Sequence, residues 1–107
     1  MKEVKSGKQF KKDLKKFANQ PKKLMELYYF INTYLKTGQT IPEKYRAHML
    51  HGDYVGHMEC HIEGDFLLIW IDEATNTIKL VRVGSHSELF GVRLTPNTKE
   101  DLIPGSP

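Results

Sequence analysis

Apolar and polar residues alternate along this chain in two rhythms, and the change from one to the other divides it into a helical first third and a stranded remainder. Phe10, Leu14 and Phe17 recur at helical spacing behind Ser6 and Gln9, a pair three apart that fits a capping box. Residues 7–18 are therefore predicted to form an amphipathic helix with most of its lysines on the opposite face. Asn19-Gln20-Pro21 interrupts the pattern, and Pro21 suits the first turn of a second helix whose stripe is Leu24, Leu27, Tyr28, Ile31 and Leu35, ended by Gly38. So short a break predicts an αα-hairpin. Ahead of it, Glu3-Val4-Lys5 reads as an edge strand. Residues 39–52 carry Pro42 and no sustained period, and read as a loop that places His48 beside the next element.

From about Asp53 the period falls to two: Val55, His57, Glu59 and His61 share one face, while Met58, Cys60 and Ile62 share the other and point to the core. After a turn at Glu63-Gly64, Phe66-Leu-Leu-Ile-Trp-Ile71 is a continuous apolar run of strand length, the central strand, with Asp65 at its mouth. Residues 72–77 read as a turn, 78–83 as a third strand, 87–90 as one helical turn and 91–94 as a last short strand. Residues 95–107, with three prolines and little apolar content, read as a flexible tail. The expected architecture is α+β: an N-terminal αα-hairpin packed on a mostly antiparallel sheet of about four strands, in a single domain over residues 1–94.

At 107 residues the chain is long enough to bury roughly two-thirds of its unfolded surface without staples. Its single cysteine, Cys60, has no partner for an internal disulfide. No apolar run reaches the ~20 residues of a membrane span, and the N-terminus lacks the apolar stretch of a signal peptide, which predicts a reduced, cytoplasmic protein. The net charge is +3, and its distribution says more than its size: residues 1–23 hold nine lysines against Glu3 and Asp13. Lys8, Lys11, Lys12 and Lys15 of the first helix thus offer a cationic face to a phosphate backbone, the plainer alternative being a solvated surface.

Four of the five histidines fall within residues 48–61, and His86 returns the fifth. Imidazole both gives and takes protons near neutrality. Cleaving RNA without a metal needs that pair of roles, a base for the 2′-hydroxyl and an acid for the departing 5′-oxygen, together with a cation for the charged phosphorane. His48, His61, Asp65 and His86 are the candidates for proton transfer, Arg82 for the cation, and Phe90 for a base-stacking face. A histidine facing solvent from a strand is commonly only a polar surface residue. His57 and His61 stand ~13 Å apart on a strand rising ~3.3 Å per residue, too far to share a zinc, and neither a second cysteine nor a His-Glu-x-x-His pattern is present, so no metal and no cofactor are expected. Cys60 reads as a buried small apolar residue.

These residues carry a resemblance. His48-x-Leu-x-Gly-x-Tyr-x-Gly, then His61-Ile-Glu-x-Asp65-Phe-Leu-Leu-Ile-Trp70, then Arg82-x-Gly-Ser-His86-x-x-Leu-Phe90, together with Phe10-Lys-Lys-Asp13-Leu14-Lys, resemble the YafQ branch of the RelE superfamily of bacterial toxins across about residues 5–91. The resemblance implies the RelE-like microbial RNase fold and the toxin component of a type II toxin–antitoxin system: a metal-independent endoribonuclease that cuts mRNA in the ribosomal A site and is restrained by a DinJ/RelB-like antitoxin. It implies that His48, His61, Asp65 and His86 are catalytic, that Arg82 contacts phosphate, that Phe90 lies near the scissile nucleotide, and that Phe66 fills an aromatic position on the RNA. His51 and His57 match no functional position. Many relatives carry Arg in a Gly-Tyr-Arg-x-x-His stretch where this chain has Gly56-His57-Met58. That departure keeps an alternative open, a weakly catalytic module that binds RNA or antitoxin and reaches operator DNA only through the antitoxin complex.

Overall fold

The computed structural model describes residues 1–91. In chain order it comprises β1 (Glu3–Ser6), α1 (Lys8–Lys15), α2 (Pro21–Phe30) running into a π-helical turn (Ile31–Leu35), β2 (His48–Met49), β3 (Met58–Glu63), β4 (Phe66–Glu73), β5 (Thr77–Gly84) and α3 (His86–Phe90). The strands form one sheet in the order β1-β5-β4-β3-β2, in which β1 runs parallel to β5 and every other pair is antiparallel. The β3-β4-β5 meander is the one the alternation predicts, with β4 at its centre, but β3 begins at Met58 and not near Asp53: Gly52–Tyr54 is a helical turn, so Val55 and His57 precede the strand. The fifth strand, β2, lies inside the stretch read as loop, together with a single helical turn at Glu43–Tyr45. Two residues are too few to show a period. The expected strand at 91–94 and the tail at 95–107 lie outside the described residues.

Both helices cover one face of the sheet, where Phe10, Leu27, Phe30 and Ile31 bury themselves against Cys60, Leu68, Trp70, Ile78 and Leu80. Burying each such large side chain contributes about 1.5–3 kcal/mol. Leu67 and Ile69 point to the opposite face, under a smaller apolar cover of Leu89, Leu50, Tyr54 and Phe90. β4 is therefore buried on both sides, which is why its sequence shows no alternation.

Two local expectations are corrected. The stripe on α2 omits Phe30, which is fully buried, and includes Tyr28, which is exposed. Leu27, Phe30 and Ile31 stand three and four residues apart and share the face turned to the sheet, so Phe30 takes the core position and Tyr28 looks out; beyond them the π-helical turn, closed by Lys36 N–H donating to the Ile31 carbonyl at 3.0 Å, carries Leu35 into the same core. The Ser6–Gln9 capping box does not form, because Ser6 belongs to β1 and Gly7 occupies the cap position without a side-chain bond. Gly7 instead donates its N–H to the Leu80 carbonyl at 2.8 Å, and a Cβ there would lie 2.9 Å from that oxygen. Glycine lets the chain leave the sheet at this point and start α1 directly above it.

Candidate active site

The uncovered end of the second sheet face is where the polar groups gather. Glu59 and His61 leave β3 on this face, opposite Ile69 and Leu67 of β4, as their parity predicts. β2 sets His48 directly opposite Glu59. Asp65 sits in the β3–β4 turn, and α3 swings His86 back over that turn. Ser85 fixes the swing: its Oγ accepts from Glu88 N–H at 3.2 Å while the Glu88 carboxylate accepts from Ser85 N–H at 2.8 Å, a complete capping box.

His86 and Asp65 form a tight unit. The Asp65 carboxylate oxygen Oδ1 lies 3.0 Å from both the backbone N and the ring Nδ1 of His86. The backbone N–H of His86, and next its ring, hold the Asp65 carboxyl below its ordinary value against the small opposing effect of desolvation. With Nδ1–H committed to Asp65, the Nε2 of His86 is left for chemistry. The His61 ring centroid lies 5.7 Å from that of His86, and its Nδ1 lies 3.3 Å from the Gly64 carbonyl, so its Nε2 is likewise left open. His48 is held differently. Its Nδ1 is 2.7 Å from the Arg46 carbonyl and its Nε2 is 3.2 Å from Glu59 Oε1, so an acceptor stands opposite each ring nitrogen. Arg46 adopts the left-handed conformation (φ 52°), strained for a non-glycine residue, and its carbonyl is the one His48 meets.

Arg82 reaches the site as an anchored cation. Its Nε donates to Asp13 Oδ2 at 2.7 Å and one terminal nitrogen to Asp13 Oδ1 at 3.3 Å, while the other terminal nitrogen lies 3.5 Å from the Tyr54 hydroxyl. Phe90 packs edge-on against Tyr54 at 5.8 Å between ring centroids and lies 5.9 Å from the His86 ring. His48, His61, Asp65, His86 and Phe90 are thus brought to one face, with Arg82 linked to that face through Tyr54. Phe66 is not: it is 1% exposed and packs edge-on against Phe17 in the helix-side core, because its place on β4 has the parity of Leu68 and Trp70. The expectation that it contacts RNA is corrected accordingly. Met58, in place of the arginine, also packs against the helix-side core. Lys8, Lys11, Lys12 and Lys15 are exposed along α1. His51 is exposed outside the cluster, and His57 meets Tyr54 edge-on.

Three participants were not among the sequence candidates. Tyr54 and Asp13 give no chemical signal beyond their places in the motifs. Glu59 does, since it lies on the histidine face by parity; it is 3% exposed, and its Oε2 is buried with no hydrogen-bond partner. Glu59, His61 and His86 present ligand atoms within 4.8 Å of one another, a set of two imidazoles and a carboxylate that suits a divalent cation such as zinc. Spacing along one strand could not reveal it, because His86 arrives from a different element.

Residues 2–91 match the family described as the bacterial toxin of the type II toxin–antitoxin system, YafQ. The chain is a member of the YafQ family. The mRNA interferase toxin YafQ of Escherichia coli K12 is 29% identical over 83 residues, 78% of this chain and 89% of that protein. A metal-bound toxin from Helicobacter pylori is 40% identical with a TM-score of 0.74, spanning 84% of this chain and all of that one. E. coli YafQ in its complex with DinJ superposes with a TM-score of 0.73 at 26% identity, over 85% of this chain and all of that one. The YafQ resemblance read from the motifs and the α+β class are both borne out, with five strands in place of about four.

Proposed function

We propose that this YafQ-family chain is the toxin of a type II toxin–antitoxin pair and an endoribonuclease that cuts mRNA by acid–base catalysis, on the ribosome, until a DinJ-like antitoxin covers the site. The observation that carries the chemistry is the His61–His86 pair, with rings 5.7 Å apart and Asp65 on only one of them. The Asp65 carboxylate holds the His86 ring by Nδ1 and turns its Nε2 outward, which places it as the acid that protonates the departing 5′-oxygen. His61, whose Nδ1 faces only a carbonyl, is the base that takes the 2′-hydroxyl proton. His48, held by an acceptor opposite each nitrogen, is fixed in place beside the phosphate, and Arg82 steadies the phosphorane charge. Phe90 and Tyr54 offer aromatic faces for a base, and the lysines of α1 hold rRNA or message. No helix among the described residues is long and apolar enough to cross a membrane, consistent with a cytoplasmic setting.

The roles are separable with a message carrying a bridging 5′-sulfur at the scissile bond, whose thiolate leaves without a proton. His86→Ala should lose ~10²–10⁴-fold on ordinary mRNA in a translating extract and regain most of it on the sulfur substrate, while His61→Ala should stay slow on both. Equal rescue of both variants would overturn the assignment, and discrete in-frame cuts absent from every sample would overturn the nuclease reading.

The ligand set of Glu59, His61 and His86 supports a second reading of the same site, as a place where a divalent cation inhibits. The H. pylori relative is metal-bound. Two imidazoles engaged as ligands cannot exchange protons, so zinc should suppress cleavage and a chelator restore it. Cleavage unchanged by saturating zinc would remove this reading.

A further inference from the structure

Asp13 lies on α1, is 1% exposed, and has no path to a substrate. Four donors nonetheless converge on its carboxylate: two nitrogens of Arg82, the Val83 backbone N–H at 3.1 Å and Gln9 Nε2 at 3.1 Å. The reason lies in the sheet. β1 pairs with β5 only as far as Ser6 opposite Leu80, after which Gly7 lifts the chain into α1 and the edge of β5 is left open. Asp13 fills that gap, accepting from Val83 as a neighbouring strand would. A bulge places an extra residue on β5 between Leu80 and Arg82, so the strand is re-aimed where Arg82 emerges.

A backbone acceptor would satisfy Val83 alone. The carboxylate also clamps one edge of the Arg82 guanidinium through two of its nitrogens, which leaves its remaining terminal nitrogen, beside Tyr54, directed to the face that carries Phe90 and the histidines. Arginine presents its donors in a rigid fork, so fixing two of them fixes the third. We infer that Asp13 is a positioning residue of the active site, one that aims the Arg82 guanidinium at the phosphate while holding the open edge of β5. This rests on the proposed nuclease reading. It differs from a purely structural role because it predicts an effect on turnover that passes entirely through Arg82.

The test is single-turnover cleavage of a ribosome-bound message by the full chain and by D13N, R82A, R82K and the D13N/R82A double variant, each first checked by thermal melting. R82A should lower the cleavage rate ~10²-fold, as loss of one preorganised donor does. D13N should lower it ~10-fold or more, since misplacing a group costs rate, with apparent affinity for the ribosome little changed. The double variant should be no slower than R82A. R82K, which keeps the charge but cannot be gripped by two nitrogens while offering a third, should approach R82A and keeps the inference testable even where D13N melts too low to assay. An active wild type with D13N unimpaired, with losses that multiply in the double variant, or with R82K at full rate would overturn the inference while leaving the histidine site intact. A wild type that never cuts would overturn the functional reading and this inference with it.

Discussion

Asp13 also decides how the protein meets acid. Burial pushes its carboxyl upward, but hydrogen bonds from Arg82, Val83 and Gln9 together outweigh that and hold it below the usual carboxylate range. A depressed native value means the unfolded state binds the proton more readily, so the stabilisation is fully present above the unfolded value of about 3.9 and is lost as the pH falls through the native one. Asp13→Asn should cost about 3 kcal/mol at neutral pH, since it breaks one side of a nearly buried ion pair. Urea titrations should then show the gap between variant and wild type constant near neutrality and closing below about pH 4. A gap that stays open in acid would mean that Asp13 acts by shape and not by charge. Cys60 is the contrasting case: burial drives its thiol far above the ordinary range, which leaves it inert in the core, as its parity implied.

Among the elements, α3 carries the most function in the fewest residues. Ser85→Ala removes the cap and should cost about 1 kcal/mol of stability. His86 is the first residue of that helix, so cleavage should fall more steeply than the melting temperature does; parallel losses in the two would show that the cap only supports the fold. This element was legible in the sequence, because Gly84-Ser85 breaks the strand and the cap is local. β4 and the histidine face of β3 were legible for the same reason: period and parity act between near neighbours. Elsewhere distant partners decided. Ser6 and Gln9 have the spacing of a cap, yet Ser6 is claimed by Leu80 on β5 and Gln9 by Asp13. Phe66 has the chemistry of a stacking residue, but β4 is apolar on both faces, and only the helices packed over one of them show that Phe66, with Leu68 and Trp70, points into the core. Glu59 shows its role only once β2 places His48 across from it.

At the level of the whole molecule, the lysines and the histidines occupy different elements, and the Asp13–Arg82 ion pair ties the lysine-bearing helix to β5. Of the two acids in the N-terminal segment, Asp13 is buried and neutralised, so the exposed surface of α1 is more uniformly cationic than the sequence count suggests. Four lysines neutralising RNA phosphates should give a slope of about −3 in log K against log salt for ribosome binding by sedimentation. Lys8, Lys11, Lys12 and Lys15 changed together to Gln should flatten it, and an unaltered slope would assign those lysines to solubility. The parallel pairing of β1 with β5 has a further consequence, in time. Asp13 and Arg82 are 69 residues apart, so at ~5–20 residues per second Asp13 leaves the peptidyl transferase centre several seconds before the arginine it grips exists. His86 follows later still. A nascent copy of this protein therefore spends its translation without a finished site, which closes only when β5 and α3 have followed the helix that braces them.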